Sequence, residues 1–138
     1  MSLVLFASNR PLDRAENIKA AYEAYDGEKI FIQRTASFKD VDLNKYDLMV
    51  TDDYPDRAPK KCIHIGHGPA AGKTAGLDQP NPYIRSKLIT YATTSSKEMI
   101  PVVAKQCGIP EEKVIPLGFP RTDYYINNPK VKKQRREY

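Results

Sequence analysis

Two glycine-led stretches of this 138-residue chain hold the residue types that phosphate chemistry needs. The first is Gly66-His67-Gly68-Pro69-Ala70-Ala71-Gly72-Lys73-Thr74. Histidine titrates near neutral pH, so His67 can accept the proton of an attacking hydroxyl, and Lys73 can neutralise phosphate charge as a leaving group departs. Gly66 and Gly68, being small, let a substrate approach the backbone. The alternative for His67 is an imidazole that only hydrogen-bonds within its own loop. The second stretch is Gly118-Phe119-Pro120-Arg121-Thr122-Asp123.

The Gly-Lys-Thr ending of the first stretch invites comparison with the nucleotide-binding loop G-x-x-x-x-G-K-[ST], in which backbone amides wrap phosphates. The match fails, because the first glycine of that pattern falls on His67 and Pro69 removes one amide. Asp52, Asp53 and Asp56 could bind a divalent cation, yet Tyr54-Pro55 between them reads as an ordinary turn, so no metal is expected. His64, between Ile63 and Ile65, reads as a packed core residue. Cys62 and Cys107 lie in apolar neighbourhoods without metal-ligand spacing, which suits reduced, buried thiols. No cofactor is implied.

The elements that must position these residues follow from hydrophobic patterning. Leu3 to Ala7 is a continuous apolar run, the pattern of a strand buried on both faces of a parallel sheet. Ser8 or Asn9 can cap a following helix, Pro11 fits its first turn, and Leu12, Ala15, Ile18, Tyr22 and Tyr25 recur at helical spacing until Gly27. Further strands are predicted over 29–34, 46–51, 61–65, 87–91 and 113–117. A short helix is expected around 40–44, and a longer one runs from a Thr94-Ser95-Ser96 cap to Cys107. Pro101 falls inside the longer helix, which therefore begins later than the cap or is kinked. Strand-helix alternation predicts an α/β, Rossmann-like parallel sheet with helices on both faces, occupying residues 1–129. Ligands in such folds bind beyond the carboxyl ends of the strands. Both glycine-led turns follow strands, so His67 and Arg121 are expected on one rim.

The net charge is +5, of which residues 130–138 contribute +4 and the rest only +1. A basic run this short, without interleaved aromatics, argues against nucleic acid and reads as a tail or the start of an interdomain linker. No apolar run approaches the roughly 20 residues of a membrane span. Leu3 to Ala7 follows no basic segment and is too short for a signal-peptide core, so a cytoplasmic location is expected.

The run Ile63-His64-Ile65-Gly66-His67-Gly68, followed by Lys73, resembles the His-Gly motif of the CDP-glycerol glycerophosphotransferases, the teichoic-acid polymerases and primases. Gly118 to Asp123 resembles that family's Gly-x-Pro-Arg-x-Asp, and the order and spacing of the two agree. Pro69 stands where a threonine is usual, and the lysine comes one place later than is common.

The resemblance implies one half of a two-domain GT-B-type architecture. This chain would be the amino-terminal, acceptor-side domain, inactive alone, and a carboxy-terminal donor-binding domain would lie beyond it. The implied reaction moves glycerol phosphate from a nucleotide-activated donor such as CDP-glycerol to a polymer or lipid-linked hydroxyl. It would occur at the inner membrane face, where the enzyme would be peripheral. His67 would be the base, Lys73 and Arg121 phosphate partners, and Asp123 would orient Arg121 or a hydroxyl. A local Arg121–Asp123 ion pair fixing the turn is the alternative. From a different functional class, the rival reading is a stand-alone binding module for a phosphorylated or nucleotide ligand.

Overall fold

Every residue of Val4–Ser8 (β1) is buried, as a strand with neighbours on both edges and layers on both faces must be. The computed structural model describes residues 2–34, 39–66 and 88–118. Within them β1 is followed by Glu16–Ala24 (α1), Lys29–Gln33 (β2), Leu48–Thr51 (β3), Cys62–His64 (β4), Tyr91–Thr93 (β5), Ile100–Cys107 (α2) and Val114–Ile115 (β6). The strands form one sheet in the order β2-β1-β3-β4-β5-β6, and every adjacent pair is parallel. This is the expected α/β, Rossmann-like architecture.

Strand alternation divides the core into two layers. Val4, Phe6, Val50 and Ile65 pack with Ala15 and Ile18 on the α1 side. Leu5, Ala7, Met49, Cys62 and Ala92 pack with Ala104 and Cys107 on the α2 side. Among the described residues one α-helix therefore covers each face, and each layer removes apolar surface from water at about 25 cal/mol per Å².

The ends of the helices depart from the sequence expectations in instructive ways. The helical stripe from Leu12 to Tyr25 is not one helix: Leu12–Arg14 is a 3-10 turn, Ala15 breaks it at φ −95° and ψ 78°, and α1 then begins. Ser8 and Asn9 do not cap α1, which has no side-chain cap. Ser8 instead belongs to β1, and its hydroxyl accepts from the Arg10 amide at 3.1 Å. At the other end, Lys29 Nζ donates to the Tyr22 and Tyr25 carbonyls at 2.5 and 2.8 Å, satisfying acceptors that the last helical turn leaves open.

The short helix expected around 40–44 is a 3-10 turn over Leu43–Lys45, with the Asp42 side chain accepting from the Asn44 amide at 3.2 Å. The segment after β5 starts as a 3-10 turn over Lys97–Met99 without a side-chain cap, and α2 begins only at Ile100. Pro101 thus sits in the first turn of α2, where its missing N–H breaks no hydrogen bond. Gly108 ends α2 in the left-handed conformation, φ 68°. The fifth strand lies later than the predicted 87–91: pairing with β4 begins where the Thr90 amide donates to the Cys62 carbonyl at 2.8 Å. Among the described residues no helix is long and apolar enough to cross a membrane.

Candidate functional site at the carboxyl edge of the sheet

Because all strands are parallel, their carboxyl ends share one edge, and both glycine-led turns start there. The last ladder bond on β4 is donated by the Ile65 amide to the Thr51 carbonyl at 2.8 Å, and Gly66 then turns away at φ 70°. Beyond β6, the Gly118 amide donates to the Thr94 carbonyl at 2.9 Å, and Gly118 takes φ 80°. Left-handed backbone costs a residue with a Cβ about 1–2 kcal/mol, which is why glycine occupies both exits. The exits are one strand apart, on either side of β5. Gly66 lies where the sequence placed it; His67, Gly68, Lys73, Arg121 and Asp123 lie outside the described residues.

Gly66 is also tied from below. Asn17, 2% exposed on α1, donates from Nδ2 to the Gly66 carbonyl at 2.9 Å. Nothing in the local pattern of apolar residues singles out this asparagine, and only the packing of α1 beneath the end of β4 reveals its partner.

A second polar cluster occupies the switch point of the sheet, where strand order turns from β2 on one side of β1 to β3 on the other. In open α/β sheets such a switch point is a customary ligand crevice. Here, though, protein donors surround the side chains. Asp52 Oδ2 accepts from Ser8 Oγ at 3.1 Å. Asp53 accepts from the Asn9 amide at 2.9 Å and from Thr51 Oγ1 at 3.2 Å. Arg34 bridges Asp53 at 3.3 Å and Asp56 at 3.2 Å, drawing together the ends of β2 and β3 across β1. The acidic trio is thus built into the turn, the plainer of its two sequence readings. Burial raises the Asp53 carboxyl above its ordinary 3.8, Arg34 opposes the shift, and neighbouring Asp52 adds to it. Among the described residues no group of three His, Cys, Asp or Glu side chains is placed to hold a metal ion.

Beneath this edge the predicted core residues are packed as expected. His64 stacks on the Tyr54 ring, with centroids 4.6 Å apart and planes at 17°, and its Nδ1 lies 4.0 Å from Cys107 Sγ. Cys62 and Cys107 are buried free thiols. Burial pushes each up to about 12, which leaves them without thiolate at neutral pH.

Residues 35–138 match the family described as CDP-Glycerol:Poly(glycerophosphate) glycerophosphotransferase. The chain belongs to this glycerophosphotransferase family. The match takes in both glycine-led turns and leaves β1, α1 and β2 outside it. Two relatives from Staphylococcus aureus are similar over 59% of this chain. They are the teichoic acid ribitol-phosphate polymerases TarK, 35% identical, and TarL, 34% identical. The aligned part makes up 18% of TarK and 17% of TarL, so this chain spans less than a fifth of either polymerase.

Proposed function

We propose that the chain is the amino-terminal, acceptor-side domain of a polyol-phosphate polymerase or primase built on the two-domain GT-B plan. In this reading residues 1–129 form the domain and 130–138 lead into the interdomain linker. A hydroxyl of a polymer or lipid-linked acceptor attacks the phosphorus of a nucleotide-activated donor such as CDP-glycerol. A new P–O bond forms, the bond to the nucleotide breaks, and CMP leaves. His67 takes the hydroxyl proton, Lys73 and Arg121 offset charge on the phosphates, and Asp123 orients Arg121. The acceptor's location puts the enzyme at the inner membrane face as a peripheral protein.

The observation that carries the proposal is the departure of both family motifs from one sheet edge, at Gly66 and Gly118, one strand apart. A ligand spanning that gap would reach from one exit to the other. Ribitol phosphate is a second candidate cargo, since TarK and TarL are ribitol-phosphate polymerases.

Catalysis requires donor phosphorus and acceptor oxygen at near-attack distance, and one domain supplies one wall of the cleft. The purified chain, given CDP-glycerol and a lipid-linked acceptor, is therefore expected to release no CMP above background, with a full-length homologous enzyme as positive control. Robust release dependent on His67 would overturn the half-domain reading. Glycerol phosphate should still perturb amide signals over 66–74 and 118–123 together, and perturbation confined to 130–138 would indicate charge attraction alone.

A further inference from the structure

Asn17 is an unlikely occupant of its position on physical grounds. Asparagine is a poor helix former, and an amide buried at 2% exposure is costly unless it is hydrogen-bonded. Its neighbours Ala15 and Ile18, both fully buried, hold α1 against the sheet, so the amide sits on a rigid base. What that amide reaches is the Gly66 carbonyl at 2.9 Å. Gly66 stands at φ 70°, where glycine tolerates many values of ψ, and a bond to its carbonyl selects one. The same carbonyl belongs to the peptide unit whose nitrogen is that of His67.

We infer that Asn17 is a positioning residue for His67, fixing the direction in which the peptide entering that residue leaves the sheet. The inference rests on His67 being the base proposed above. It assigns a role to a residue outside the 35–138 family match. Side chains that aim a reacting group need no contact with substrate, yet a displacement of about 1 Å at the reacting group costs up to about 100-fold in rate.

The test is a double-mutant cycle in the full-length protein, assayed with CDP-glycerol and a lipid-linked acceptor. Asn17→Leu, which keeps the branched side-chain shape at a larger volume and deletes the donor, is expected to lower kcat about 10- to 100-fold with KM for the donor little changed. In the His67→Ala background the same substitution should change kcat by less than about twofold, because the group it aims is gone. Equal losses in both backgrounds would overturn the inference and leave the base reading standing. Undiminished turnover in His67→Ala would overturn the base reading and this inference with it. Asn17→Ser, whose hydroxyl is too short to reach the carbonyl, repeats the cycle with a smaller polar side chain in case the leucine variant does not fold. In both variants of the isolated chain the His67 backbone nitrogen signal should shift, and an unmoved signal counts against the role.

Discussion

Two polar regions lie along the same edge of this sheet, and they are spent differently. At the switch point, Ser8, Thr51, Asp52, Asp53 and Arg34 bond to one another and to nearby backbone. At the exits from β4 and β6, Gly66 and Gly118 take left-handed backbone, and the two glycine-led stretches that follow lie within the family match. A density of charged side chains at a customary ligand crevice therefore marks scaffold here, whereas two isolated glycines mark the start of the proposed chemistry. Polar groups that bond to each other across strand ends hold those strands in place.

Substitutions on the two sides should separate activity from stability. The largest effect is expected from His67→Ala in the full-length protein, a fall in turnover of about two to four orders of magnitude as for loss of a general base. The urea midpoint should stay unchanged; a parallel loss of stability would place His67 with the scaffold.

Arg34→Met should do the reverse, destabilising the isolated chain by about 3 kcal/mol at neutral pH, because it strands the Asp53 carboxylate. The sign of the pH dependence follows from the raised Asp53 carboxyl. A raised acid contributes stability that is present below its unfolded value of 3.8 and is lost as pH rises through the folded value. Without Arg34 the folded value climbs further, so the penalty of the variant should shrink as urea titrations are carried from pH 7 toward pH 4. A penalty independent of pH would show that the Arg34 bridge is not the source.

Gly118→Ala is a milder probe of the exits. Among the described residues a Cβ there meets no atom within 4 Å, so the backbone at φ 80° sets the expected effect, about 1–2 kcal/mol. A neutral result would mean that this turn relaxes freely. The smallest expected effect is none: Cys62 and Cys107, pushed up to about 12, should resist iodoacetamide at pH 7.5 in the folded chain and react once it is unfolded in urea. Rapid labelling of the native chain would contradict their burial.

What the sequence revealed depended on which property a pattern reports. The apolar run at β1 was legible because burial on both faces leaves no room for polar residues. The run ending at Tyr91 misled by a few residues: Ile89 is 2% exposed, yet it precedes the strand, so apolarity there reported burial rather than ladder pairing. The stripe from Leu12 to Tyr25 likewise named the buried face but concealed the break at Ala15, since a 3-10 turn and an α-helix can share one apolar side. His67 and Arg121 were singled out by type and motif and lie outside the described residues, while the glycines that lead into their stretches, Gly66 and Gly118, leave the sheet along one edge. Asn17, Ser8 and Arg34 were not recognised as anchors, because their partners lie 49, 44 and 19 residues away and no local spacing encodes which strands become neighbours.

The strand order also bears on how the chain is made. Synthesis runs from the amino end, and β1 can receive β2 on one side and β3 on the other before β4, β5 or β6 is made. Each later strand, β4, β5 and β6, then lands on the open edge left by the one before, and none must wedge between two strands already joined. The sheet can grow outward in the order of translation. Helix α1, with Asn17 on it, leaves the ribosome well before Gly66, so the anchor for that turn stands ready before the turn is made.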